Sequence, residues 1–199
     1  ISLTNSGLEY TVQFSSNTEN TNIVSVNAAV FTDLAGNDNE ASDVFSWTWD
    51  NTAPIFTVIE PSSGDFVNST SLIYSVNEKL IDGGTIIVSE NGKDVQSFGL
   101  SKTVGVLHTE TMSMNEGSTY TITLSGFDLA GNIGTEIISQ VTYDTTPPTM
   151  SIQSPTPGVV NGGRYNSFIT LKFTPSESIE NFVESDITVI DNGNNGYTI

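Results

Sequence analysis

The side chains here with the chemistry to bind a ligand are mostly carboxylates and amides, and they recur at turns. Asp33-Leu34-Ala35-Gly36-Asn37 returns as Asp128-Leu129-Ala130-Gly131-Asn132, after an interval of about 95 residues, the size of one small domain. Each copy is followed by a related phrase, Trp49-Asp50-Asn51-Thr52-Ala53-Pro54 and Tyr143-Asp144-Thr145-Thr146-Pro147-Pro148. In a two-sheet sandwich, the turn between the last two strands shares an end with the entering linker and with the turn after the second strand. That rule gathers Asp50 and Asn51 of the linker, Glu78, Asp128 and Asn132. Calcium takes ~6–8 oxygen ligands from carboxylates, carbonyls and water, so the set predicts a calcium site. By the same logic Asp144, Glu177 and an Asp33 from an adjoining repeat form a second set. The competing role of the repeated turn is structural: Asp bonds its own backbone, Gly36 and Gly131 supply a positive φ, and Asn tolerates the left-handed region. This explains the recurring pentapeptide but not the matching linker Asp and Glu.

Other chemistry is sparse. The chain has one His and no Cys among 199 residues, so thiolate catalysis, disulfides and zinc–thiolate sites are excluded. No Gly-rich phosphate cradle is present, and the Asp and Glu residues fall at turns and linkers. Little remains to shift a pKa or to stabilise an oxyanion, and the chain is not expected to be an enzyme. His108 sits in an alternating stretch and reads as a strand residue. Asn68-Ser69-Thr70 matches the N-glycosylation acceptor pattern, which matters for a eukaryotic source. Phe45, Trp47 and Trp49 alternate along one strand face and suit packing. Trp47 and Trp49 could instead stack on sugar rings of a surface glycan.

Charge narrows the partners further. With 23 acidic and 5 basic residues the net charge is −18, which repels phosphate backbones and anionic lipid surfaces and attracts cations. Nucleic-acid binding is excluded on this ground. No stretch reaches the ~18–20 apolar residues of a membrane span, and no basic-then-apolar start resembles a signal peptide. Ile1 opens inside strand-like sequence, as expected of a mature segment or a piece of something longer.

The elements that must position these groups have period two. Leu8, Tyr10, Val12 and Phe14 alternate with polar residues, as do Tyr120, Ile122 and Leu124, and Ile169, Leu171 and Phe173. Such alternation predicts strands with one buried face. Strands are predicted over 55–60, 71–77, 85–90, 94–99, 106–114, 119–127 and 135–143 in the middle of the chain. Others are predicted over 8–14, 22–30 and 43–49 before it, and near 150–152, 168–173, 185–189 and 196–199 after it. No helix is predicted. About seven short strands in roughly 100 residues is the signature of an immunoglobulin-like sandwich. Tyr120, opening its strand after a Gly117 corner, suits a hydroxyl-to-backbone bond at that corner.

The fold class is therefore all-β, as tandem immunoglobulin-like β-sandwiches. Residues 55–148 form a complete domain, 149–199 the N-terminal half of another, and 1–54 a C-terminal half. Residues 149–199 would be completed by residues 1–54 of an adjoining repeat, the chain being one period of a larger array.

The paired phrases, with Phe173-Thr174-Pro175-Ser176-Glu177-Ser178 and Ser185-Asp186-Ile187-Thr188-Val189, resemble the bacterial Ig-like repeats of large surface adhesins and related extracellular proteins. Pro is missing after Glu177, a departure from the usual Ser-Glu-Pro turn of those repeats, and residues 79–118 match poorly. The resemblance implies a secreted or surface stalk, commonly stiffened by calcium. Together these readings predict a structural repeat of an extracellular filament or adhesin stalk, partnered by copies of itself in a tandem array or fibre. The alternative is a carbohydrate- or receptor-binding module of a secreted protein.

Overall fold

The structure is a computed structural model and describes residues 3–6, 8–15, 18–101 and 103–189. Its elements are β1 (Leu3–Ser6), β2 (Glu9–Val12), β3 (Asn20–Val24), β4 (Phe45–Trp49), β5 (Phe56–Glu60), β6 (Phe66–Val67) and β7 (Ser71–Val76), followed by β8 (Thr85–Glu90), β9 (Lys93–Gly99), β10 (His108–Thr111), β11 (Thr119–Phe127) and β12 (Ile133–Tyr143), then β13 (Met150–Gln153), β14 (Lys172–Pro175) and a 3-10 turn, Glu184–Asp186. The chain is all-β, and it divides into two compact units, Ile1–Asp144 and Thr145–Ile199.

The core of the first unit lies between two sheets, ordered β10-β7-β5 and β6-β12-β11-β8-β9. Alternation decides which side chains enter it. Leu72, Tyr74 and Val76 of β7 point inward, as do Ile86 and Val88 of β8 and Tyr120, Ile122 and Leu124 of β11. They meet Phe56, Ile138 and Val141 in one continuous cluster drawn from both sheets, a sandwich-like arrangement. The Tyr120 hydroxyl is buried near the corner before β11, where it accepts the Asn115 amide hydrogen at 2.6 Å. A buried hydroxyl needs such a partner.

Outside this core the strands form isolated pairs, β1-β2, β3-β4 and, in the second unit, β13-β14. Several predicted strands are shorter than expected. The strand predicted over 22–30 stops at Val24, because Ala29 turns at φ 57 and the Asn39 amide captures the Val30 and Phe31 N–H groups. The strand predicted over 185–189 is instead a 3-10 turn at its start, where Asp186 accepts the Val183 N–H at 3.0 Å. The strand predicted over 168–173 begins at Lys172, its register set by pairing of Ile152 with Phe173. The 106–114 strand is confined to His108–Thr111. The strand expected over 196–199 lies outside the described residues.

Candidate functional site

The Asp128–Asn132 turn joins β11 to β12, and its own side chains shape it. Asp128 Oδ1 accepts the Ala130 and Asn132 amide hydrogens at 2.8 and 2.9 Å, and Oδ2 accepts Asn132 Nδ2–H at 2.8 Å. Gly131 takes φ +93°, a conformation that a Cβ would strain. The same Asn132 Nδ2 lies 3.3 Å from the carbonyl oxygens of Asp50 and Thr52, so the turn holds the segment that enters β5. On its other side Asp128 forms a backbone bridge with Leu80, which brings the chain after β7 alongside.

Three carboxylates converge as a result. Ligating oxygens of Asp50, Glu78 and Asp128 all lie within 4.8 Å of one another, with Asp128 buried and the other two half-buried. An open cleft of about 480 Å³ flanks Asp50 and Glu78 and is also lined by Glu19, Thr21, Thr48 and Asn77. Partial burial raises the Glu78 pKa, and the charges of Asp128, Asp50 and Glu19 raise it further. Burial also pulls Asp128 upward, but the donors of Asn132, Ala130 and Gly131 more than offset it and hold this carboxyl below its ordinary value. Within the cluster, the surroundings thus favour the charged form of Asp128 and disfavour that of Glu78.

The donor set suits calcium. Oxygens bound at ~2.3–2.6 Å to one ion can stand up to about 5 Å apart, and the three carboxylates fall inside that span. Asp50, Glu78 and Asp128 would hold the ion, which would supply positive charge where the protein has gathered negative charge.

The other predicted residues are placed differently. Asp33 repeats the turn bond for bond, accepting Ala35 N–H and Asn37 N–H at 2.8 Å and Asn37 Nδ2–H at 2.9 Å. The Asn37 side chain, then its backbone, hold the Asp33 pKa below its ordinary value. Asp33 is exposed, however, and among the described residues it joins no such group of acids. Asn51 is exposed beside Asp50. Asp144 is half-buried and donates its backbone N–H to Val67 O at 2.9 Å, and Glu177 is half-buried after β14. Neither belongs to the three-carboxylate group. Glu19 was not singled out from the sequence, because it precedes a short strand in a stretch without periodic signal.

Asn68 is exposed between β6 and β7. Trp47 packs against Phe14 and Phe45, with ring centroids 5.5 and 6.1 Å away. Trp49 is half-buried against the acidic cleft, and its Nε1 is buried without a hydrogen-bond partner. His108 Nε2 lies 2.8 Å from Thr103 O and its ring packs, tilted, 5.5 Å from that of Tyr74, a packing role.

Fold and site together define an all-β, sandwich-like protein with three acids converging where the segment between β4 and β5 meets a two-sheet core. Comparison with protein-family models, curated proteins and solved structures gave no match for this chain.

Proposed function

We propose that this chain is a structural repeat of an extracellular filament or cell-surface adhesin stalk, made of immunoglobulin-like sandwiches in series and stiffened by calcium at their junctions. The observation that carries the reading is the tie at residues 50–52, where Asn132 holds the linker backbone while Asp128 shares a carboxylate cluster with Asp50 of that linker. A cation there would cross-link the linker to the sandwich on both sides of the joint. The sheet orders β10-β7-β5 and β6-β12-β11-β8-β9 and the Tyr120 bond support the immunoglobulin-like assignment. Residues 55–148 would be the complete domain, with 1–54 and 149–199 as halves.

Calorimetry in calcium and in chelator tests the proposal. A melting temperature that falls in chelator is expected, and an unchanged one overturns the role of calcium. One observation favours a second reading. Trp49 lines the open cleft and is half-buried there, so its ring could stack on a sugar, making the chain a carbohydrate-binding module. Glycan binding lost in Trp49→Leu, which removes the aromatic face, would favour that reading.

A further inference from the structure

Two hairpins leave apolar faces uncovered. In the second unit, β13 and β14 pair Met150 with Pro175 and Ile152 with Phe173. Their open trough of about 500 Å³ is lined by Met150, Ile152, Leu171, Phe173, Phe182 and Val189. In the first unit, one face of the β3-β4 hairpin carries Phe45, 66% exposed, beside half-buried Val24, Trp47 and Trp49. Two-stranded hairpins of this kind are marginal until a face is covered.

The central two-sheet core contains a counterpart of each. Pro54-Ile55-Phe56 and Pro148-Thr149-Met150 open β5 and β13 in the same way. Phe56 pairs with Val76 and Val58 with Tyr74, as Met150 pairs with Pro175 and Ile152 with Phe173. Even the closing bonds match. Ile55 N–H donates to Asn77 Oδ1 at 2.7 Å and accepts Asn77 N–H at 3.2 Å on its carbonyl; Thr149 N–H donates to Ser176 Oγ and Thr149 O accepts Ser176 N–H, both at 2.9 Å. β13-β14 thus repeats β5-β7. Likewise β3-β4 and β11-β12 are antiparallel pairs that flank the repeated pentapeptide and run into Trp49-Asp50 and Tyr143-Asp144. In the core, Phe56, Tyr74 and Val76 of the β5-β7 pair share one buried cluster with Tyr120, Ile122, Leu124 and Val141 of the β11-β12 pair. Each uncovered hairpin therefore carries the kind of face that the other lacks.

We infer that the β13-β14 face of one copy docks on the β3-β4 hairpin of a second copy, rebuilding between two chains the contact that β5-β7 makes with β11-β12 within one. This deepens the proposed function and rests on its sandwich-repeat reading. The contact is heterologous, so it propagates into open chains rather than closing into a symmetric dimer. It would bring Asp33 of the second copy to the end of the hairpin that carries Glu177, as Asp128 meets Glu78 in the core. Because each copy carries a net charge of −18, association strengthens with calcium and with ionic strength.

Sedimentation velocity on the full chain in calcium, with two variants, tests this. Phe173→Asp spoils the tail face and Trp47→Asp the head face, and both lie outside the central core, whose melting should be unchanged. The wild type is expected to grow in mass with concentration. Each variant alone should stay monomeric, while their equimolar mixture should give a species of twice the monomer mass and nothing larger. A wild type that is monomeric at every concentration, a variant that still self-associates alone, or a mixture that stays monomeric overturns the inference. If calcium still raises the melting temperature in that case, the stalk reading stands without it. Intact association with no calcium dependence of melting would count against the calcium stalk alone.

Discussion

Glu78→Gln separates repulsion from cation binding, because the two respond to it with opposite sign. At 4.8 Å, the outer limit of the cluster, two unit charges repel by about 0.9 kcal/mol in water-like surroundings and about 3.5 kcal/mol at an effective dielectric of 20. Glu78 is only half-buried, so solvent screening places each pair near the lower figure. It faces both Asp50 and Asp128, and removing its charge without a cation should stabilise the protein by about 2 kcal/mol. For a domain of this size that raises the melting temperature by about 10 °C. Calcium at about 100 times its dissociation constant stabilises the wild type by about 2.7 kcal/mol, and losing one carboxylate ligand removes most of that increment. Differential scanning calorimetry should therefore find Glu78→Gln above the wild type in chelator, with the advantage erased or reversed in calcium. The pH dependence has a defined sign. The folded pKa of Glu78 lies above its ordinary value of 4.5, so the folded protein loses stability as pH rises from 4.5 through that raised value. The advantage of Gln in chelator should be full at neutral pH and vanish below 4.5. A variant that melts below the wild type in chelator, or keeps its full calcium increment, would refute the reasoning.

Asp128→Ala strips a buried carboxylate from three N–H donors and should cost about 4 kcal/mol, whereas Asp33→Ala, with the same bonds in an exposed turn, should cost far less; chemical denaturation measures both, and equal losses would mean that burial is not what distinguishes the two turns. Asp128 is held below its ordinary pKa of 3.8, so its contribution is present above that value and is lost as pH falls through the folded pKa, and the Asp128→Ala deficit should shrink on acidification. A Cβ on Gly134 would overlap the Pro54 carbonyl oxygen, while one on Gly99 would meet nothing within 4 Å; Gly134→Ala should cost more than about 2 kcal/mol and Gly99→Ala essentially nothing, both read from urea midpoints.

The strands that cover the core were legible because period-two burial is written directly into them. β7 and β11 alternate buried and half-buried residues along most of their length. β6 was not legible, because two residues paired parallel to β12 carry no periodicity. The ends of the chain failed for a different reason. Apolar alternation there is real, but Asn39 and Asp186 divert backbone donors into turns, and side-chain capture of this kind competes with a sheet ladder. For the site, Asp50, Glu78 and Asp128 could be foreseen because sandwich topology places their turns at one end. Glu19 could not, since it reaches the cleft through the β3-β4 hairpin and follows no repeat.

The contact of Pro54 with Gly134 has a mechanical consequence. A string of domains loses straightness through its joints, where small angular errors accumulate like the steps of a random walk. The linker carbonyl at Pro54 sits on bare backbone at Gly134, and Asn132 grips the carbonyls of Asp50 and Thr52 two to four residues earlier. The last residues before β5 thus belong to the sandwich, and in the proposed array of domains the pivot would move back toward Trp49. A shorter free joint means a shorter lever for thermal torque, so in such an array the missing side chain at one glycine would limit how far the preceding domain can swing.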